Sequence, residues 1–194
     1  MKNTFLCMLL LGSNIVFASD FNEDTEWSLY NVSTGSLLSV DPWQFNIDNS
    51  YLFNITAYYL DKDYQIDFPN EPEHTKPYWL SWWKIKETVL GSGKYYIQNY
   101  LTHKCVAYYK NNKRVVQKKC DIHDKNQLWK IDLGEAPSNN KSFRIVSLAH
   151  PDDCMYGWPG DKNFYTYSGS CSYYSNLSDW TIIPVFRRGY YHPG

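Results

Sequence analysis

The chain has 194 residues, which suits one domain or two very small ones. Its formal net charge is −1, and 20% of its residues are charged, so no overall charge favours nucleic acid or acidic lipid as a partner. Aromatic residues make up 18% of the chain. Some of them fit a core, and the others must lie at the surface, where Tyr and Trp often serve recognition.

The first residues have the form of a signal peptide. Lys2 gives a positive start, residues 5–11 form a short apolar run, and residues 16–18 are a plausible cleavage sequence. We expect cleavage after residue 18, which leaves residues 19–194 as a single secreted domain with short terminal tails. Cys7 lies inside the apolar run and not at the cleavage point, so we expect no lipid anchor.

Four cysteines follow the signal peptide: Cys105, Cys120, Cys154 and Cys171. An even number of cysteines in an exported chain predicts two disulfides. Three pairings are possible, and the local one closes two loops of similar length, each contributing about 3 kcal/mol by loop entropy. Zinc is the alternative, but the chain has no Cys-x-x-Cys spacing, so we expect neither a metal nor another cofactor.

A short pattern around tryptophan occurs three times in the chain. The segments SWWKI, QLWKI and SDWTI each place a tryptophan two residues before an isoleucine. The three tryptophans are Trp83, Trp129 and Trp180. Alternation of Trp, a polar residue and Ile is typical of a half-buried strand.

A strand-like stretch precedes each tryptophan, and one polar residue in each stretch anchors an alignment of the three. These anchors are Asn31, Asn99 and Ser147. Counted from these anchors, Leu37 in the first unit and Cys105 in the second occupy the same position. Cys154 in the third unit lies one residue later. The first unit is longer, which places an insertion within residues 41–77. Because no amphipathic helix is evident, the pattern predicts an all-β fold.

This repeat resembles the ricin B-type β-trefoil, in which Gln-x-Trp closes each of three units. Gln127 keeps the glutamine, whereas Ser81 and Ser178 replace it. The resemblance covers residues 27–185 and implies a β-trefoil with an insertion in the first repeat. It also implies that the three tryptophans pack around the threefold axis and do not contact a ligand.

The sugar pockets of that family each use an aspartate about two residues after the first cysteine of a unit. The matching positions here are Ser39, Ala107 and Tyr156, and none carries a carboxylate. Because an unpaired sugar hydroxyl in a pocket is costly, this departure disfavours a simple galactose-binding lectin.

The chain also resembles the binding subunits of cytolethal distending toxin, a trefoil family that departs in the same way. The stretches that carry this resemblance are WSLYNVSTGSLLSV, WWKIKETVLGS and FRIVSL. The toxin has two kinds of binding subunit. The chain is more similar to the kind that has a cleaved signal peptide and no lipid anchor, and the kind that is typically a lipoprotein is the alternative.

The resemblance implies a noncatalytic protein that binds a host glycoconjugate or membrane lipid, but not nucleic acid, and carries a DNase I-like nuclease. A second trefoil subunit as a further partner stays open. The alternative function is that of a free-standing, secreted, carbohydrate-binding lectin.

The segment KPYWLSWWKI supplies candidate binding residues. In a strand that ends at Trp83, Tyr78 and Trp82 would face outward and Trp79 inward. An outward Trp beside an outward Tyr marks an interface more often than chance. The alternative is that the insertion covers these rings.

Further candidate residues lie in the second and third units. Tyr108 and Lys110 fall in VAYYK, which fits a pattern proposed for cholesterol contact, and Trp158 is a further aromatic candidate. The alternative for VAYYK is a strand with Val106 and Tyr108 on one face. The stretch YYKNNKRVV predicts a basic hairpin, which can meet acidic surfaces or simply be solvated.

The C-terminal tail is the candidate partner interface. Its arginine and aromatic residues are of types enriched at interfaces. They are Phe186, Arg187, Arg188, Tyr190 and Tyr191. The alternative is a frayed terminus.

Overall fold

The computed structural model describes residues 25–41, 44, 47–55, 80–132, 142–158 and 165–185. The predicted signal peptide, residues 56–77 of the predicted insertion, and the tail after Val185 lie outside the described residues. Their assignments therefore stay predictions.

Twelve strands in the described part of the chain fall into three units of four. The first unit contains β1 (Trp27–Asn31), β2 (Ser36–Val40), β3 (Leu52–Ile55) and β4 (Trp82–Glu87). The second contains β5 (Tyr95–Asn99), β6 (Lys104–Tyr109), β7 (Arg114–Lys119) and β8 (Trp129–Asp132), with a 3-10 helix at Lys125–Gln127 before β8. The third contains β9 (Arg144–Ser147), β10 (Asp153–Gly157), β11 (Thr166–Ser170) and β12 (Trp180–Pro184).

The first and fourth strands of each unit close a six-stranded ring. Within units, β1 pairs with β4 and β5 with β8, and a bridge between Phe143 and Trp180 joins the edges of β9 and β12. Between units, β4 pairs with β5, β8 with β9, and β12 with β1. The second and third strands of each unit form a hairpin, and the three hairpins contact one another. This architecture is a β-trefoil, so the predicted fold class is confirmed.

The three repeated tryptophans hold each unit together by the same hydrogen bond. All three are fully buried. In the order of the units, the indole Nε1–H donates to the backbone oxygen of Leu38 at 3.0 Å, of Val106 at 3.1 Å and of Met155 at 2.9 Å. A buried indole N–H needs an acceptor, and the second strand of the same unit supplies it. The acceptors follow Leu37, Cys105 and Cys154, which confirms the alignment of the three units.

The turn between the first and second strands explains why the third unit is one residue longer there. Gly35 and His103 have positive φ angles of 67° and 55°, and their N–H groups donate to the carbonyls of the first two anchors. Pro151 occupies the matching position in the third unit. Proline lacks an N–H and keeps φ near about −65°, so it supports neither feature. A longer turn replaces them, in which the Asp153 N–H donates to the His150 carbonyl at 2.9 Å.

Two disulfides join the hairpins in the local pairing. Cys105 bonds Cys120 and Cys154 bonds Cys171, with sequence separations of 15 and 17. Each bond links the second strand of its unit to the residue after the third strand. Two disulfides indicate an extracellular protein. Among the described residues, no helix has the length and apolar character needed to cross a membrane.

Candidate binding surface

The three positions that would carry a sugar-binding aspartate are buried in this chain. Ser39 and Ala107 are fully buried, and Tyr156 is 7% exposed. The Ser39 hydroxyl donates to the neighbouring Val40 carbonyl at 3.1 Å, and Ala107 has no polar side-chain atom. None of the three therefore offers a carboxylate to a sugar hydroxyl at the surface.

Trp82 lies at the start of a strand, and the prediction of a strand ending at Trp83 was wrong. Strand β4 begins at Trp82 and continues to Glu87, because Lys84 and Ile85 extend the alternating pattern beyond the tryptophans. The predicted opposition of the two rings is confirmed, since Trp83 is buried and Trp82 is half-buried on the other face. The Trp82 ring packs 5.8 Å from the Tyr100 ring, centroid to centroid. Tyr78 and Trp79 lie outside the described residues.

Tyr108 is a core residue, and the strand interpretation of VAYYK describes it correctly. Its side chain is 5% exposed and belongs to the main hydrophobic cluster together with Val106. Its ring lies 4.5 Å from the His150 ring. This burial removes the ring from the surface contact predicted for it. Lys110, in contrast, is exposed in the turn of the predicted hairpin between β6 and β7.

Aromatic rings from β10, β11 and the turn after β11 form what we call the stacked cluster. Its members are Tyr156, Trp158, Tyr167, Tyr173 and Tyr174. Tyr156 stacks on Tyr174 at 4.1 Å and on Tyr167 at 5.7 Å, with ring planes 11° and 20° apart. Trp158 meets Tyr156 and Tyr174 edge-on at 6.4 and 6.1 Å. Trp158 is 40% exposed and Tyr173 is 79% exposed, so the cluster presents apolar faces to solvent.

Gly169 lets the stacked cluster lie close to the hairpin backbone. A Cβ atom at this position would stand 3.1 Å from the Tyr174 ring and 3.3 Å from the Tyr156 ring. Both separations are tighter than ordinary contact between these atoms. Glycine here therefore allows the two rings to stack against β11.

A second group, the arginine cluster, consists of Tyr51, Arg114 and Tyr165, with one residue from each unit. The Arg114 Cζ atom lies over the Tyr165 ring at 3.8 Å and over the Tyr51 ring at 4.5 Å. The two ring centroids are 5.1 Å apart and their planes differ by 66°, so the guanidinium lies in the angle between the rings. Such contacts stabilise a cation by about 0.5–2 kcal/mol each.

Tyr167 joins the two clusters into one continuous surface. Its ring lies 5.8 Å from the Arg114 Cζ atom and 6.5 Å from the Tyr165 ring. In β11 it also pairs with Arg114 of β7 across the two hairpins. We call the two clusters together the tyrosine surface.

Sequence reasoning misses most of the tyrosine surface, since it identifies Trp158 as a binding residue and Arg114 only as part of a basic hairpin. The available signal is the high tyrosine content. That signal does not say which rings meet, because the rings are brought together by bridges between hairpins of different units. Among the described residues, no group of three or more His, Cys, Asp or Glu side chains is placed to hold a metal ion.

Ionisation of the buried tyrosines is expected to limit stability at alkaline pH. Burial raises the pKa of Tyr156, and its hydrogen bond and proximity to Tyr174 raise it further. A raised folded-state pKa contributes stability that is fully present below the unfolded value of about 10 and is lost as pH rises through the folded value. The buried tyrosines should therefore ionise only when the protein unfolds at alkaline pH. Part of the phenolate absorbance should accordingly appear together with unfolding. Tyr156→Phe should move this unfolding to higher pH, whereas the exposed Tyr173→Phe should not. Equal midpoints for the two variants would contradict the assignment.

Comparison with known proteins finds a similarity to ricin-type trefoils. Residues 81–163 match the ricin-type beta-trefoil lectin domain-like family. No curated protein sequence matches the chain. Over residues 81–163 the chain is therefore similar to ricin-type β-trefoil lectin domains, in agreement with the observed fold.

Solved structures with this fold include toxins and lectins. Cytolethal distending toxin from Actinobacillus actinomycetemcomitans matches at 16% identity and a TM-score of 0.61, covering 87% of this chain and 97% of that chain. The Rhizoctonia solani agglutinin matches at 17% identity and a TM-score of 0.56, covering 82% and 94%. A mosquitocidal holotoxin matches at 14% identity and a TM-score of 0.62, covering 85% of this chain but 18% of that chain. At these identities the similarity shows the fold alone.

Proposed function

We propose that this chain is a secreted, noncatalytic toxin subunit that binds the host-cell surface and delivers a DNase I-like nuclease subunit. The observation that carries the proposal is the exposed stacked cluster, on a trefoil whose three sugar-acceptor positions lack carboxylates. Similarity to cytolethal distending toxin supports it, because the match extends over most of both chains. Its proposed counterpart in that toxin is the binding subunit without a lipid anchor.

The stacked cluster has the properties of a recognition surface. Trp158 and Tyr173 expose large rings that are held in place by edge-on contact with Tyr174. Rigid aromatic rings lose little conformational entropy on binding, and their faces cover the apolar faces of sugars or lipids. A clustered group of exposed rings therefore marks a contact site more strongly than single exposed apolar residues do.

The proposed nuclease contact is the C-terminal tail, whereas Tyr78, Trp79 and Trp82 are further candidates for binding the cell surface. Arginine and aromatic residues are enriched in protein interfaces, and the tail has both types. A second trefoil subunit is a further proposed partner beside the nuclease.

A free-standing lectin is the second candidate function. It is favoured by the match to the lectin domain-like family and by the fold similarity to the agglutinin. The two candidates differ in what the lone chain does. A lectin binds simple galactosides and acts without a nuclease, whereas a delivery subunit retains a nuclease partner.

We expect the double variant Trp158→Ala, Tyr173→Ala to bind cultured cells about 10-fold or more weakly, because truncating central aromatic residues removes the main binding contacts. Flow cytometry with the fluorescently labelled chain measures this. A matched control is Val89→Ala, Leu90→Ala, which truncates side chains that are 70% and 85% exposed in the turn after β4. Equal loss in both variants would contradict a specific role for the stacked cluster.

The nuclease role is tested separately from cell binding. A chain that ends at residue 185 should keep its cell binding and lose a co-expressed DNase I-like subunit during purification. Strong binding of the full chain to lactose, together with no retained nuclease, would favour the free-standing lectin.

A further inference from the structure

We propose that the arginine cluster binds the carboxylate of an acidic sugar, namely a terminal sialic acid on a cell-surface glycan. The inference rests on the proposed role of the tyrosine surface in cell binding, and it specifies the class of ligand. It concerns a group of residues that includes none of the three aspartate positions of the ricin-type pockets.

The Arg114 side chain is held in position but has no anionic partner in the part of the chain that the structure describes. It is half-buried, and it forms no salt bridge and no side-chain hydrogen bond among the described residues. Its backbone is fixed by the N–H, which donates to the Asn112 Oδ1 atom at 3.1 Å. A partly desolvated guanidinium is most stable when it is paired with an acceptor, so the arrangement leaves an unused capacity for an anion.

The chemistry of the cluster fits an oxyanion such as a carboxylate. Guanidinium has five N–H donors and no acceptor, so its partner must supply oxygen lone pairs. With the Arg114 face against Tyr51 and Tyr165, the edges of the guanidinium are the part left for a ligand. Two parallel N–H groups on one such edge match the two oxygens of a carboxylate.

The surroundings favour a sugar as the group that carries this carboxylate. The guanidinium fills the angle between Tyr51 and Tyr165, and both rings are half-buried, so their exposed parts lie beside it and can contact a sugar ring. Asn112 donates to the Tyr51 hydroxyl at 3.2 Å, which fixes the Tyr51 ring. Lys110 and Lys113 are exposed in the same turn and have no ion pair within the described part of the chain, so they add positive potential. A lipid phosphate would use the charge but not the tyrosine rings.

Titration calorimetry of the full mature chain tests the inference with three probes: 3′-sialyllactose, its methyl ester and lactose. We expect the acid to bind and the two neutral probes to bind at least about 10-fold more weakly. Arg114→Lys keeps the charge but loses the planar fork, so its affinity for the acid should fall about 10- to 100-fold. Lys119→Gln is the matched control, because it removes an exposed charge from the same strand and should bind as the wild type does.

Several results would overturn the inference. These are equal binding of the acid and its ester, unchanged binding by Arg114→Lys with an unchanged melting temperature, and no binding of any probe. Arg114-dependent binding to phosphatidylserine vesicles without binding to sialyllactose would assign the cluster to a lipid headgroup instead. Sialidase treatment of cells separates this inference from the proposed function. If treatment leaves binding intact while the Trp158, Tyr173 double variant still loses it, the subsite is wrong and the cell-binding role stands.

Discussion

Replacing Trp129 by alanine is expected to lower the free energy of unfolding by about 3–5 kcal/mol. The side chain is fully buried, and its indole N–H donates to the Val106 carbonyl at 3.1 Å. Truncation leaves a cavity at the centre of the second unit and an unpaired carbonyl in β6. Since domains of this size are stable by about 5–15 kcal/mol in total, the loss is a large fraction. Urea unfolding followed by circular dichroism measures it.

The other two repeated tryptophans and one surface tryptophan provide the controls. Trp83→Ala and Trp180→Ala should cost a similar amount, because each residue is fully buried and makes the equivalent hydrogen bond. Trp158→Ala should cost about 1 kcal/mol, since this ring is 40% exposed and has edge contacts with two tyrosines. If Trp129→Ala cost no more than Trp158→Ala, the shared core role of the repeated tryptophans would be refuted.

The fold could be predicted because its main determinants repeat within short stretches of sequence. Asn99 is an example: its Oδ1 atom accepts from the N–H groups of Leu101 and Thr102, both at 3.0 Å. Asn31 accepts from the Thr34 N–H at 3.0 Å in the first unit. Such local contacts constrain the residue type at a fixed place in every unit, and spacing between units then shows the repeat.

The binding surface could not be predicted in the same way, because its contacts join residues that are far apart in the chain. Arg114 meets Tyr51 and Tyr165 from two other units, and no local pattern links the three. Tyr108 shows a different kind of error. Sequence reasoning assigned it to a surface motif, but its side chain is buried in the core. Alternation in β6 gave the correct face for Tyr108, but it did not decide between a lipid contact and the core.

The glutamine of the Gln-x-Trp pattern is kept in the second unit alone, and the serine that replaces it in the third unit contacts a residue of the binding surface. Gln127 accepts from the Asp121 N–H at 3.0 Å and donates to the Lys119 carbonyl at 3.1 Å, so it fastens the chain between β7 and β8. Ser178 replaces it in the third unit, and its hydroxyl donates to the Tyr174 carbonyl at 2.5 Å. The shorter side chain therefore fastens a residue of the stacked cluster.

Removing the disulfide between Cys154 and Cys171 is expected to cost about 3 kcal/mol in folding and also to weaken cell binding. The stability loss follows from the loop of 17 residues in sequence separation that the bond closes. The loss of binding has a separate cause. Tyr173 and Tyr174 follow shortly after Cys171, and Tyr156 lies two residues after Cys154, so both ends of the bond anchor the stacked cluster. Replacing both cysteines by alanine tests the two effects by thermal unfolding and flow cytometry.

The disulfide between Cys105 and Cys120 is the matched control, because it closes a hairpin of nearly the same length, with a sequence separation of 15. Alanine at both positions should also cost about 3 kcal/mol. This bond lies at the end of the hairpin away from Arg114, so cell binding well below the melting temperature should stay near the wild-type value. Equal losses of binding in the two variants would mean that the disulfides act through overall stability. A loss confined to the Cys154, Cys171 variant would place the recognition surface on the third unit, where the tyrosines stack.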